Sequence, residues 1–245
     1  MRAFTRTTSF AISITFVLAG IASAQDPPPP KAREAKAEFA LVSTSGNASA
    51  QSIGAAGQVI FRPPQWEIDG QTTFVRNEAD GVVSAKSFGA RGRAGRMLNP
   101  RLQAFGQHSY LRDLFSGVVH RNTTEGGLSY LVLQTGRNTL YADAGLGYLK
   151  ERRTVGASLS TPTASPGARY KLRLSETSDI TDDLLMSFDL LEEGTWRLQH
   201  TIALTARVAA PLSLKVSNLL RYVDEPVAGF EQTDTITSAA LVLSF

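Results

Sequence analysis

The 245 residues include 42% hydrophobic and 19% charged side chains, a balance too polar for a helical membrane protein and too apolar for a disordered chain. The formal net charge of +3 comes with no compact Lys/Arg run and no nucleic-acid-binding motif, which argues against a nucleic-acid partner. Cysteine is absent, which excludes disulfides, thiolate metal sites and a cysteine nucleophile.

At the N-terminus, Arg2 and Arg6 precede an apolar stretch over residues 10–21, followed by Ala22-Ser23-Ala24. That order predicts a secretory signal peptide over 1–24, cleaved after Ala24. Its apolar core is short of the roughly 20 residues a transmembrane helix needs, and no later stretch is continuously apolar for that length. Pro27, Pro28, Pro29 and Pro30 then give residues 25–36 the composition of an extended, semi-rigid leader, expected in the periplasm.

From Ala37 onward, alternating segments separated by turn residues leave no room for long helices. They predict about twelve strands, over 37–44, 50–62, 65–77, 84–97, 101–113, 120–134, 138–152, 168–178, 183–191, 195–209, 212–224 and 233–245. The joints alternate in kind. Pro63-Pro64, Leu98-Asn99-Pro100, Thr135-Gly136-Arg137, residues 179–182 and Ala210-Pro211 read as tight turns. Between them stand connections over 45–49, 78–83, 114–119, 153–167, 192–194 and 225–232, generally longer, although 192–194 is no longer than the turns. This is how outer-membrane barrels are arranged, with the short side in the periplasm. An even strand count puts both chain ends on that side, where an exported leader needs to be. The expected fold is all-β: a transmembrane, up-and-down antiparallel β-barrel over 37–245, resident in the cell outer membrane.

Successive strand residues point to opposite faces. Trp196, Leu198, Ile202, Leu204, Ala206 and Val208 share one face, against Arg197, Gln199, Thr201, Thr205 and Arg207 on the other; Leu214, Val216, Leu220 and Tyr222 oppose Lys215 and Arg221 in the same way. Turning Arg207 or Lys215 toward lipid would cost about 2–4 kcal/mol each near the midplane, so the charged faces are expected to line a wet lumen. The same parity assigns Glu67, Asp69, Arg91, Arg93, Glu125, Asp143, Lys171, Arg173 and Asp189 to the lumen beside Arg197, Arg207, Lys215 and Arg221. Aromatics of lipid parity fall near strand ends: Phe61, Trp66 and Phe245 on the turn side, and Phe74, Tyr110, Tyr148, Tyr170, Trp196 and Tyr222 toward the loop side, the places for two interfacial girdles. A soluble periplasmic barrel would need polar residues outside and an apolar core; the aromatic placement and Phe245 argue against it.

Candidates for chemistry are few. His108, His120 and His200 lie on separate segments without metal-site spacing, and His108 and Ser109 point to opposite faces, which spoils them as a base and nucleophile. No catalytic residue, metal site or cofactor is expected. Glu67 and Asp69 are expected to pair across strands with Arg91 and Arg93. In-strand glycines such as Gly57, Gly70, Gly92, Gly126, Gly145 and Gly147 suit barrel bending or ligand clearance. The uncharged stretch over 154–167 is either an external loop or a fold-in constriction.

Leu41-Val42-Ser43-Thr44-Ser45-Gly46-Asn47, Asp113-Leu114-Phe115-Ser116-Gly117, Gly145-Leu146-Gly147-Tyr148 and Gly229-Phe230-Glu231-Gln232-Thr233-Asp234-Thr235 together resemble the salt-induced outer-membrane protein family of Gram-negative bacteria, defined by domain of unknown function 481. The resemblance implies an outer-membrane barrel and brings no catalytic residue or ligand. A terminal Phe245 on an alternating strand also looks like the assembly signal of such barrels, which implies outer-membrane lipid and the assembly machinery as partners. Three functions stay open: a narrow, basic-leaning pore for small solutes, a structural or stress-related barrel plugged by its own salt bridges, and an envelope-modifying enzyme, for which no nucleophile, base and orienting group are visible.

Overall fold

The computed structural model describes residues 31–44, 50–79, 81–191 and 195–245. The expected signal peptide over 1–24 and the leader as far as Pro30 lie outside the described residues, as do the joints over 45–49 and 192–194. Twelve strands form: β1 (Arg33–Thr44), β2 (Ala50–Phe61), β3 (Trp66–Ala79), β4 (Val82–Met97), β5 (Leu102–Asp113), β6 (Val118–Gln134), β7 (Asn138–Arg153), β8 (Leu159–Arg173), β9 (Ser178–Asp189), β10 (Trp196–Ala209), β11 (Leu212–Val223) and β12 (Thr233–Ser244). A single 3-10 turn, Leu114–Ser116, is the only helical piece among the described residues.

Every strand pairs antiparallel with its sequence neighbours, and β12 returns to β1 through Lys36↔Ser244 to Phe39↔Leu241, closing an up-and-down barrel. Closure leaves no edge of unpaired backbone groups. Ala35 and Phe245 exchange backbone hydrogen bonds of 3.2 and 2.9 Å, which sets the start of β1 and the end of β12 on one rim.

Short polar side chains make the turns of that rim. Asn99 Oδ1 accepts from the backbone N–H of Arg101 and Leu102 at 2.9 and 2.8 Å. Thr135 Oγ1 accepts from Asn138 N–H at 2.9 Å, and Ser175 Oγ from Thr177 N–H at 3.2 Å. After Pro63-Pro64, Gln65 takes φ +64°, the left-handed conformation that lets the chain reverse before Trp66.

The structure moves several boundaries. β1 starts at Arg33, so the leader expected to reach residue 36 ends earlier. The connection expected over 78–83 shrinks, because β3 runs to Ala79 and β4 resumes at Val82; Gly81, with φ +77°, gives that hairpin its left-handed residue. The stretch over 154–167 is mostly strand. β8 begins at Leu159 and carries Pro162 and Pro166, while the β8–β9 ladder shows no pairs between Ala164↔Phe188 and Gly167↔Leu185. A proline there takes no ladder donor away. The expected turn over 179–182 is likewise strand, since β9 starts at Ser178 and the reversal falls on Ser175 and Thr177. Tyr170 thereby lies by the short turns, not on the loop side, with its hydroxyl donating to Asn138 Oδ1 at 2.6 Å.

Ion pairs between strands that are not neighbours reveal which face is inside. Arg221 of β11 meets Asp113 of β5 at 3.2 Å, and Arg93 of β4 meets Asp143 of β7 at 3.4 Å. Such contacts can cross only the barrel interior. Carried through the registers, that parity turns Glu34, Glu38, Asp69, Arg91, Glu125, Arg169 and Lys215 inward. The opposite parity carries the exposed apolar side chains, among them Val59 and Phe39 at 60% and Leu146 at 67% exposure. The barrel therefore has a charged interior and an oily coat, the reverse of a soluble barrel.

Candidate functional site

The interior is the place where the fold concentrates ionised groups, and it is organised in levels. At the turn-side rim, Arg62 donates from Nη1 to Glu34 at 2.6 Å and from Nε to Glu67 at 2.8 Å. Burial works against its charge, but the hydrogen bonds it donates to the two carboxylates outweigh it and raise the Arg62 pKa above its ordinary value. Lys171 pairs with Asp179 at 3.3 Å on the same side, and Lys215 reaches over β12 to Glu38 at 2.9 Å.

Above that rim, Asp143 gathers two guanidinium groups, Arg169 at 2.7 Å and Arg93 at 3.4 Å, and Arg169 also donates to Ser129 Oγ at 2.9 Å. Arg93 lies over the Phe105 ring, 3.7 Å from its centroid. Glu67 and Asp69 do not make the expected pairs with Arg91 and Arg93. Asp69 stands directly across from Arg93 in register yet accepts from Gln58 at 2.7 Å, while the arginine side chain extends past it to Phe105 and Asp143. Glu125 accepts from Gln107.

In the loop-side half, Glu151 holds Arg121 at 2.5 Å and Arg153 at 2.7 Å. Asp189 accepts from the Thr161 hydroxyl and, at 2.9 Å, from Leu191 N–H. Arg197 is buried beside this group, and its guanidinium makes no hydrogen bond among the described residues. Arg173 and Arg207 sit by the short turns, their backbone N–H groups donating to Arg137 O and Thr177 O, each at 2.7 Å.

Two contacts cross the bore near the loop-side mouth. β5 and β11 are opposite members of the twelve-strand ring, so the Asp113–Arg221 pair spans the full bore. Just beyond it, the β11–β12 connection lays Val227 and Phe230 on Gly117. A Cβ on that glycine would come within 2.6 Å of Val227 Cβ and 2.9 Å of Phe230 Cδ2, and its φ of +77° also favours glycine.

Outside, Trp196 stacks on Tyr222 with centroids 4.7 Å apart, Phe88 lies 6.2 Å from Tyr110, and Arg96 and Arg33 lie over Trp66 and Phe61. Phe74 and Tyr148 share that outward parity. Phe39, Phe88 and Tyr130 add to the same wall and were legible from parity alone. Arg169, Arg121, Glu151 and Asp113 also face inside; each lies within a strand expected from sequence, and the same period-two count, applied to every charged residue of those strands, finds them.

The outer wall carries two histidine contacts. His108 Nδ1 meets Thr124 Oγ1 at 2.8 Å, in a groove of about 960 Å³ floored by Gly70, Gly92 and Gly106. The other ring nitrogen of His108 meets no partner among the described residues, so nothing orients it as a base. His200 Nε2 meets Asp182 at 2.8 Å, but Leu184 and Leu220 stand across from it on either side, which leaves no hydroxyl nucleophile in register. Among the described residues no three His, Asp or Glu side chains gather as a metal site would require.

The family model described as "Protein of unknown function, DUF481" matches residues 37–245. Among solved structures, the translocator domain of autotransporter NalP from Neisseria meningitidis is similar at 13% identity and a TM-score of 0.49, over 89% of this chain and 89% of that one. The NanC porin is similar at 7% identity and a TM-score of 0.46, and the KdgM porin at 9% and 0.42, each over 87% of this chain and 98% of that one. No curated protein matches the chain.

Proposed function

We propose, from the premise that this chain belongs to the DUF481 family of proteins of unknown function, that it is an outer-membrane barrel serving as a narrow conduit for small polar solutes, shut at its loop-side mouth in the conformation described. The observation that carries this reading is the contrast between a charged inner wall, running from Arg62 to Arg197, and the thin closure at its loop-side end, which among the described residues is one ion pair and one apolar contact. An outer coat of apolar side chains with aromatics near both rims supports residence in a bilayer, with outer-membrane lipid as the proposed surrounding partner. Assembly machinery would meet the chain through β12 and Phe245. The thirteen side chains assigned to the lumen act as its polar lining, with no catalytic role, and the nine aromatics as interfacial anchors.

A second reading is favoured by a specific observation: the interior ion pairs link strands across the bore, as a plugged structural barrel would. Planar-bilayer recording separates the two. The conduit predicts small, rare openings for the wild type and a several-fold rise in open probability for the D113N/R221Q double variant. Silence of both proteins at every voltage would contradict it and leave the plugged barrel.

A further inference from the structure

Arg197 is the second residue of β10, at the loop-side end of the inner wall. The residue is 7% exposed, and Nε, Nη1 and Nη2 all lack a hydrogen-bond partner and are shut off from solvent. It is the only arginine among the described residues whose whole fork is buried and unpaired. Six other interior arginines hand their charge to carboxylates: Arg62 to Glu34 and Glu67, Arg93 and Arg169 to Asp143, Arg121 and Arg153 to Glu151, Arg221 to Asp113; Arg91 leaves only its Nε buried and unpaired.

Among the described residues, the charges that act most strongly on Arg197 are Arg121, Glu151, Arg153 and Asp189. Glu151 already holds two guanidinium groups, and Asp189 accepts from Thr161 and from Leu191 N–H. A buried cation without a hydrogen-bonded counter-charge is an arrangement folded proteins avoid. A second buried donor lies in the same half of the interior. The Thr163 hydroxyl, on inward-facing β8 and in register with Asp189, is 0% exposed and has no partner either.

We propose that Arg197 is the anchor of a binding site for a small oxyanion of the carboxylate, sulfate or phosphate class, held inside the barrel at its loop-side end, where Arg197 stands across from Val223 and two residues beyond the level of Arg221. The planar fork offers parallel N–H donors that match two oxygens of one anion, a geometry a halide, with a single acceptor centre, matches less well. Arg121 and Arg153 add positive potential around it, and Thr163 supplies a hydroxyl donor to the same compartment. The site rests on the reading of the interior as a wet, solute-accessible space, and it names the solute class that this space holds.

The test is calorimetric titration of the full mature barrel, purified in a nonionic detergent, with sodium sulfate and sodium phosphate against sodium chloride at matched ionic strength. The site predicts saturable binding of sulfate or phosphate and none of chloride. Arg197→Gln lowers the affinity at least about 10-fold, Arg197→Lys falls in between, and Lys150→Gln on the outer wall leaves binding intact. Heat-modifiable gel mobility reports whether each variant is folded. Equal heats for sulfate and chloride with the wild type would overturn the site, as would full affinity in folded Arg197→Gln; should that variant not fold, the wild-type comparison and Arg197→Lys decide. A barrel that binds sulfate yet stays silent in bilayers keeps this site and sinks the conduit, whereas a conducting barrel blind to sulfate does the reverse.

Discussion

His200 and Asp182 hydrogen-bond at 2.8 Å on the outward face, among Leu184, Ile202 and Leu220. On the membrane reading these side chains meet acyl chains, where a lone ionisable group is unfavourable and a pair satisfies itself. His200→Leu should therefore cost about 1–3 kcal/mol by stranding the Asp182 carboxylate, whereas the H200L/D182L double variant should be at least as stable as the wild type. Urea unfolding in lipid vesicles measures both, and additive losses would contradict the pairing. At this scale parity was readable from sequence for residues well inside a strand, such as Lys215 and Arg207. Asp182 was not readable, because Thr-Asp-Asp imitates turn chemistry and only pairing with Tyr170 and Ile202 makes it a strand residue. Partner choice was not readable either. Arg93 passes over Asp69 in favour of Phe105 and Asp143, a decision made by side-chain reach across a curved interior.

Strands announce themselves by alternation, and all twelve were found; their ends were harder. β8 hid behind Pro162 and Pro166, residues that usually mark loops; Pro166 falls in the interruption of the β8–β9 ladder and Pro162 lies just before its first pair, Thr163↔Asp189. The glycines divide by the face they occupy. Gly92 and Gly106 lie on the outer wall, and a Cβ on either would meet nothing within 4 Å. Gly127 lies on the inner wall, where a Cβ would run into the Ala144 carbonyl oxygen and approach Gly145 Cα at 2.7 Å and Phe105 Cζ at 2.9 Å. Gly92→Ala and Gly106→Ala should leave folding yield and urea midpoint unchanged, while Gly127→Ala should destabilise by about 1–3 kcal/mol or prevent folding. Equal behaviour of the three variants in refolding gels would show that the inner wall is looser than this packing implies.

For the whole molecule, composition and the two kinds of joint were enough to expect an up-and-down barrel, because closure and alternation are both written locally. The contact across the loop-side mouth was not, since it depends on Gly117 and Val227, which are far apart in sequence and meet across the bore. Every functional statement rests on the wall having a wet inside and an oily outside. Because the chain has no cysteine of its own, single cysteines at successive positions of β2 and β10 can be labelled with a fluorophore in vesicles containing brominated lipid. Strong quenching at Val59, Ile202 and Leu204, with weak quenching at Gln58, Thr201 and Thr205, is the outcome this architecture predicts. Quenching that fails to alternate, or that is stronger at Gln58, Thr201 and Thr205, would contradict it.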